Sequence, residues 1–123
     1  MVTRLAVSVV DDNVSVRESL LNLLKEYDFT VQVFHSAEQF LASDYVDQTG
    51  CLVLDVSMPG MTGFDLQKEL THRQQKIPII FITAHVDDSI RLRALENGAV
   101  DYLCKPFDPM VLLDALNDVL RMS

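Results

Sequence analysis

Apolar residues along this chain fall into two rhythms that take turns. Nearly unbroken short runs, Leu5-Ala6-Val7-Ser8-Val9-Val10, Cys51-Leu52-Val53-Leu54, Ile79-Ile80-Phe81-Ile82 and Val100-Asp101-Tyr102-Leu103, have the length and β-branched or aromatic content of buried strands. Stretches with helical spacing separate them. The first starts at Asn13, a good N-cap, and puts Val16, Leu20, Leu23, Leu24 and Tyr27 on one face, which predicts the core side. Thr30 to Phe34 alternate as a further strand, and Ser36-Ala37-Glu38-Gln39 has the capping-box pattern for a helix running toward Ser43. Asp44 to Gly50 reads as a loop. Met58-Pro59-Gly60-Met61-Thr62-Gly63 is a turn-rich stretch before a helix from about Phe64 to Gln74, with Leu66 and Leu70 facing inward. Pro78 opens the next strand. A helix from about Asp87 ends at Asn97-Gly98, a left-handed C-cap, and Asp108-Pro109 starts the last helix as cap and first-turn proline. Strand and helix thus alternate along the whole chain, which predicts an α/β domain with a parallel sheet.

In open sheets of this kind ligands sit outside the carboxyl ends of the strands, where the winding reverses. Asp11, Asp12, Asp55, Thr83 and Lys105 all follow strand ends, so they are expected to converge on one crevice. Adjacent acids such as Asp11-Asp12 oppose each other's ionisation unless a cation screens them. Mg²⁺ takes oxygen ligands, keeps several waters and is usually held by one or two carboxylates plus a phosphate; this suits Asp12 and Asp55 as direct ligands and Asp11 through water. Asp55, after a strand covered on both faces, is the candidate nucleophile, since a carboxylate can accept a phosphoryl group when a cation offsets the repulsion. Lys105 supplies a mobile positive charge for a phosphate oxygen, and the Thr83 hydroxyl can donate to another. Each has a blander reading: a solvated turn with Asp12 or Asn13 as cap, a turn aspartate, a surface lysine, a β-forming threonine. Their joint order and placement favour the site.

Composition narrows the rest. The 123 residues make one domain, 1–123, large enough to bury about two thirds of its unfolded surface. Cys51 and Cys104 show no ligand-like spacing and read as reduced core thiols, which points to a cytoplasmic protein. Neither a signal segment nor a membrane-length apolar run is present, so no membrane association is expected. A formal net charge of −8 opposes direct nucleic-acid binding by this chain.

The stretches Val9-Val10-Asp11-Asp12-Asn13, Leu54-Asp55-Val56-Ser57-Met58-Pro59-Gly60-Met61-Thr62-Gly63, Ile82-Thr83-Ala84 and Gly98-Ala99-Val100-Asp101-Tyr102-Leu103-Cys104-Lys105-Pro106-Phe107 resemble the receiver domain of two-component response regulators. The resemblance spans essentially the whole chain. It implies a flavodoxin-like, doubly wound five-stranded parallel sheet of order 2-1-3-4-5 with five helices. It also implies that Asp55 is the phosphoacceptor, that Asp11 and Asp12 hold Mg²⁺ with the Ser57 backbone carbonyl, that Thr83 and Lys105 bind the phosphoryl group, and that Tyr102 is the switch aromatic. The wording around Asn97 to Phe107 is most similar to FixJ-type receivers, which are followed by a helix-turn-helix DNA-binding domain. A sensor histidine kinase is the implied donor. The chain ends at Ser123, just past the last expected helix, so it reads either as an isolated receiver from a longer protein or as a single-domain receiver.

Two surfaces follow from periodicity. Val14 and Leu21, on the first helix opposite its core face, form an apolar stripe proposed for kinase docking. On the helix after Thr83, Val86, Ile90 and Ala94 share one face while Leu92 and Glu96 point the other way. The FixJ-type resemblance makes Leu92, with Arg91 and Glu96, the expected contact of a phosphorylation-dependent homodimer. Three rivals fit less well. A free-standing aspartyl-phosphate phosphatase would need a general acid near Asp55, which is followed by Val56-Ser57. A flavin carrier would need a loop after the first strand that does not repel phosphate. A structural pseudo-receiver would not retain the full acidic and lysine set.

Overall fold

A computed structural model describes residues 6–85 and 87–121, without the Arg121 side chain. Five strands, β1 (Ala6–Val10), β2 (Val31–Phe34), β3 (Thr49–Asp55), β4 (Ile79–Thr83) and β5 (Asp101–Cys104), alternate with helices α1 (Val14–Glu26), α2 (Ala37–Leu41), α3 (Gly63–His72), α4 (Asp88–Glu96) and α5 (Pro109–Arg121). All strand pairs are parallel and the order is β2-β1-β3-β4-β5. Chain direction of the winding therefore reverses between β1 and β3, which opens a crevice at their carboxyl ends. The doubly wound sheet of order 2-1-3-4-5 is the one expected.

Strand alternation divides the core in two. Leu52, Leu54 and Phe81 point to the side packed by Phe40, Leu66 and Leu70 from α2 and α3. Val53, Ile80 and Ile82 point to the other side, against Leu20 and Leu24 of α1 and Leu112 and Leu116 of α5. Each fully buried aliphatic side chain contributes about 1.5–3 kcal/mol relative to exposure, and β1, β3 and β4, buried at every position, serve both layers.

Several boundaries differ from the sequence expectation for identifiable reasons. β3 begins at Thr49, inside the expected loop, because the Thr49 hydroxyl bonds Ser8 Oγ at 2.7 Å and donates to the Tyr45 carbonyl at 2.7 Å. A short 3₁₀ turn, Val46–Gln48, leads into it. Val100 lies just before β5 and is exposed, although its amide donates to the Ile79 carbonyl. α3 stops at His72, since Gln74 takes a positive φ of 60° that no helix continues. Tyr27 is the C-cap of α1 and half exposed instead of buried. Leu21, expected to be exposed, is half-buried and packs against the core on the α1 and α5 side, so the apolar face of α1 is wider than the predicted stripe; Val14 remains exposed. Leu5 and Val86 fall outside the described residues.

Caps match closely. Asn13 Oδ1 accepts from the Ser15 and Val16 amides, and Ser36 Oγ accepts from the Gln39 amide. The Gln39 side chain reaches back one residue further than a standard capping box, to the His35 amide. Gly98 has a φ of 96° after α4, the left-handed conformation its position calls for.

At the start of α3, Gly63 permits an approach that no other residue can. A Cβ there would lie 2.4 Å from the Asp55 carbonyl oxygen and 3.0 Å from Val56 Cα, both backbone atoms that cannot swing away. Gly63→Ala is accordingly expected to lower stability by about 1–3 kcal/mol, measured by urea unfolding. An unchanged midpoint would show that the end of β3 yields freely.

Candidate functional site

Four strand ends build the site. β1 delivers Asp11, fully buried, and Asp12, exposed, in the turn before α1. Because Asn13 caps α1, Asp12 is not committed to the helix end. β3 ends on Asp55, which is buried, and its Oδ1 accepts from the Ser57 amide at 3.3 Å. β4 ends on buried Thr83, whose Oγ1 accepts from the His85 amide. Lys105 follows β5, and its amide donates to the Thr83 carbonyl at 2.6 Å. The Lys105-Pro106 bond is cis.

Side chains from strands far apart in sequence meet here. Lys105 Nζ lies 2.8 Å from Asp11 Oδ2 and 3.9 Å from Asp55 Oδ2. Carboxylate oxygens of Asp11, Asp12 and Asp55 all fall within 4.8 Å of one another. Burial pushes the Asp55 carboxyl up to about 7, the Asp11 charge adds to the rise, and Lys105 and the Ser57 amide oppose it. Such a cluster of hard oxygen donors, held close at one crevice with a single nearby ammonium, fits a divalent ion that keeps some of its water. It would also be relieved by one, since like charges this close resist full ionisation.

Other expected residues sit around this centre. Ser57 is exposed in the loop after Asp55, and its amide is the group that meets the carboxylate. Tyr102, on β5, is buried; its hydroxyl donates to the His85 carbonyl at 3.5 Å, the outer limit of a hydrogen bond. Burial raises its phenol above the ordinary value, with the Thr83 side chain opposing. Leu92, Arg91 and Glu96 are exposed on α4, away from the acidic trio, and Leu92 is 58% exposed. Val14 is exposed one residue past the Asn13 cap.

Sequence reasoning missed three contacts. Arg17 Nη1 donates to the Asp11 carbonyl at 2.7 Å, Glu38 Oε2 accepts from the Met61 amide at 3.3 Å, and Gly63 makes the close approach described above. Only Arg17 left a signal, as a cation near the start of a helix, where the helix dipole disfavours one.

Comparison with known proteins identifies the family. The model of the response regulator receiver domain matches residues 7–117, and the chain belongs to that family. Nodulation protein W of Bradyrhizobium diazoefficiens is 48% identical over 114 residues, which cover 93% of this chain and 50% of that protein. The transcriptional regulatory protein TdiR of Thauera aromatica is 44% identical over 117 residues, 95% of this chain and 52% of that protein. Among solved structures, FixJ-N superposes with a TM-score of 0.87 at 35% identity, covering 99% of this chain and 98% of that one. The response regulator StyR gives 0.89 at 48% identity, covering 98% and 61%. The chain spans about half the length of these two curated relatives. No helix among the described residues is long and apolar enough to cross a membrane.

The raised Asp55 pKa makes stability depend on pH. Between the ordinary value of 3.8 and about 7 the folded state holds a proton that the unfolded state releases, so this contribution is complete below pH 4 and is lost as pH rises through 7. Asp55→Asn cannot ionise. In metal-free buffer it is expected to exceed the wild type in stability at pH 8 by on the order of 2–4 kcal/mol, with the gap closing toward pH 4. Urea unfolding in EDTA at both pH values checks this; equal stabilities at pH 8 would mean that Lys105 already offsets the ionised carboxylate.

Proposed function

We propose that this chain is a phosphorylatable signalling switch: Asp55 accepts a phosphoryl group from a phosphohistidine of a sensor histidine kinase, in a reaction that needs Mg²⁺. The single observation that carries this reading is the Asp55 carboxylate at a strand end, within 4.8 Å of the Asp11 and Asp12 carboxylates and 3.9 Å from the Lys105 ammonium. An Asp55 oxygen attacks phosphorus in line, the phosphorus–nitrogen bond to the kinase histidine breaks, and an acyl phosphate forms. Asp12, Asp55 and the Ser57 carbonyl, with Asp11 through water, would hold Mg²⁺, which would supply the positive charge that lets two anions meet. Lys105 shifts from Asp11 onto a phosphoryl oxygen, and Thr83 donates its hydroxyl to another. Water later cleaves the phosphorus–oxygen bond, so the domain catalyses its own modification and its own reset without being an enzyme for free substrates.

Phosphorylation adds charge and acceptor oxygens, and drawing Thr83 toward them moves the loop that carries His85, against whose carbonyl Tyr102 rests. The relative named a transcriptional regulatory protein supports a transcription-regulating output for the signal; a helix-turn-helix domain outside this chain and a cytoplasmic setting belong to the same proposal. Kinase docking falls on α1, where Val14 is the exposed member of the proposed pair and Leu21 contributes only an edge.

A small phosphodonor with Mg²⁺ is expected to add one phosphoryl group, stable in acid but labile to base and hydroxylamine, and Asp55→Asn is expected to abolish it. Intact-mass measurement reads this. Unchanged labelling of the variant would move the nucleophile elsewhere. Activated chains are expected to pair through α4 and β5 with Leu92 against its mate. In sedimentation with beryllofluoride, the wild type should dimerise and Leu92→Asp should remain monomeric; a monomeric activated wild type, or an equally dimeric variant, refutes the contact.

A further inference from the structure

Asp11 is held from every side by donors. Lys105 Nζ meets Oδ2 at 2.8 Å, the Asn13 amide donates to Oδ1 at 2.8 Å, and Arg17 Nη1 donates to the main-chain carbonyl at 2.7 Å. The first two bonds fix the Asp11 side chain. The third fixes something different, the peptide plane that joins Asp11 to Asp12. Asp12 is exposed, so packing does little to orient its carboxylate; its direction is set by the backbone from which it departs.

Arg17 can reach this carbonyl because helix side chains tilt toward the N-terminus, and its own amide closes the first turn on the Asn13 carbonyl at 3.1 Å. The placement has a local cost. A cation near a helix N-terminus opposes the dipole, and the first turn of α1 has no acidic residue to compensate. A short charge-assisted bond into the functional turn supplies the offsetting interaction.

We propose that Arg17 is a positioning residue for the metal centre: by fixing the Asp11–Asp12 peptide from behind, it aims the Asp12 carboxylate at the cation. The inference rests on the reading of the acidic trio as a Mg²⁺ site. Its test exploits a difference in sign. Arg17 is also a positive charge at the turn that carries Asp11 and Asp12, so if charge were its only contribution, removing it would tighten Mg²⁺ binding. Loss of positioning loosens it.

Isothermal titration with MgCl₂ should therefore show Arg17→Met, which keeps the aliphatic stem and helix propensity, binding Mg²⁺ about tenfold more weakly than the wild type, the low end for loss of a supporting contact behind a ligand. Arg17→Lys keeps the charge and a shorter, single-point donor, and is expected to fall between the two. Thermal melting without metal confirms that each variant is folded; if Arg17→Met is not, the lysine variant alone decides. Affinity equal to or tighter than wild type in a folded variant overturns the positioning role. A wild type that binds no Mg²⁺ overturns the underlying reading of the site instead.

Discussion

Mutual repulsion among three carboxylates is the constraint around which this molecule is organised. Their oxygens converge within 4.8 Å, and two of the three belong to buried residues. Left alone, such a cluster would swell or protonate. What prevents the first is the sheet: β1 and β3 are fully buried strands paired over their length, so their ends cannot splay apart. What limits the second is Lys105, delivered from the far edge of the sheet and tied by its backbone to Thr83. Burial first, and then the Asp11 charge, still raise the Asp55 pKa; the charge part is what a bound cation would relieve.

Much of this was legible along the chain, and the reason is that strand ends are local. The apolar runs before Asp11, Asp55 and Thr83 fix both the strand and the end at which it delivers a polar residue. The readings that failed depend on neighbours instead. Thr49 joins β3 because a hydroxyl of Ser8 waits across the sheet, which no window around Asp44 to Gly50 contains. Leu21 and Tyr27 differ from their periodic assignment because the apolar face of α1 is wider than one stripe and its last fully buried member is Leu24, short of the C-cap Tyr27. Gly63 looked like a turn glycine. Its actual reason is a strand backbone at 2.4 Å from where a Cβ would stand.

On the proposed reading, coupling from the site to the surface would run through a short, sparsely tied element. Thr83 receives the His85 amide, and Tyr102 offers its hydroxyl to the His85 carbonyl, so one loop is gripped by both side chains. Beyond that loop, α4 buries Ala94 fully and Ile90 partly. It also lies against β5 and meets α3, where the Arg93 guanidinium sits 5.0 Å from the Phe64 ring centroid and the Gln67 side chain donates to the Asn97 carbonyl. Few contacts need to change for this helix to settle differently, while the strands beneath it stay put.

That light attachment of α4 also bears on how many such switches can work side by side. A residue that packs against the sheet is constrained by everything it touches, whereas Arg91, Leu92 and Glu96 touch little within their own chain. Substitutions there leave the carboxylates, the lysine and the core undisturbed. On the proposed reading, partner choice and chemistry are thus written on separate parts of one small domain, so that duplicated copies could acquire distinct companions while the acidic crevice stays the same in each.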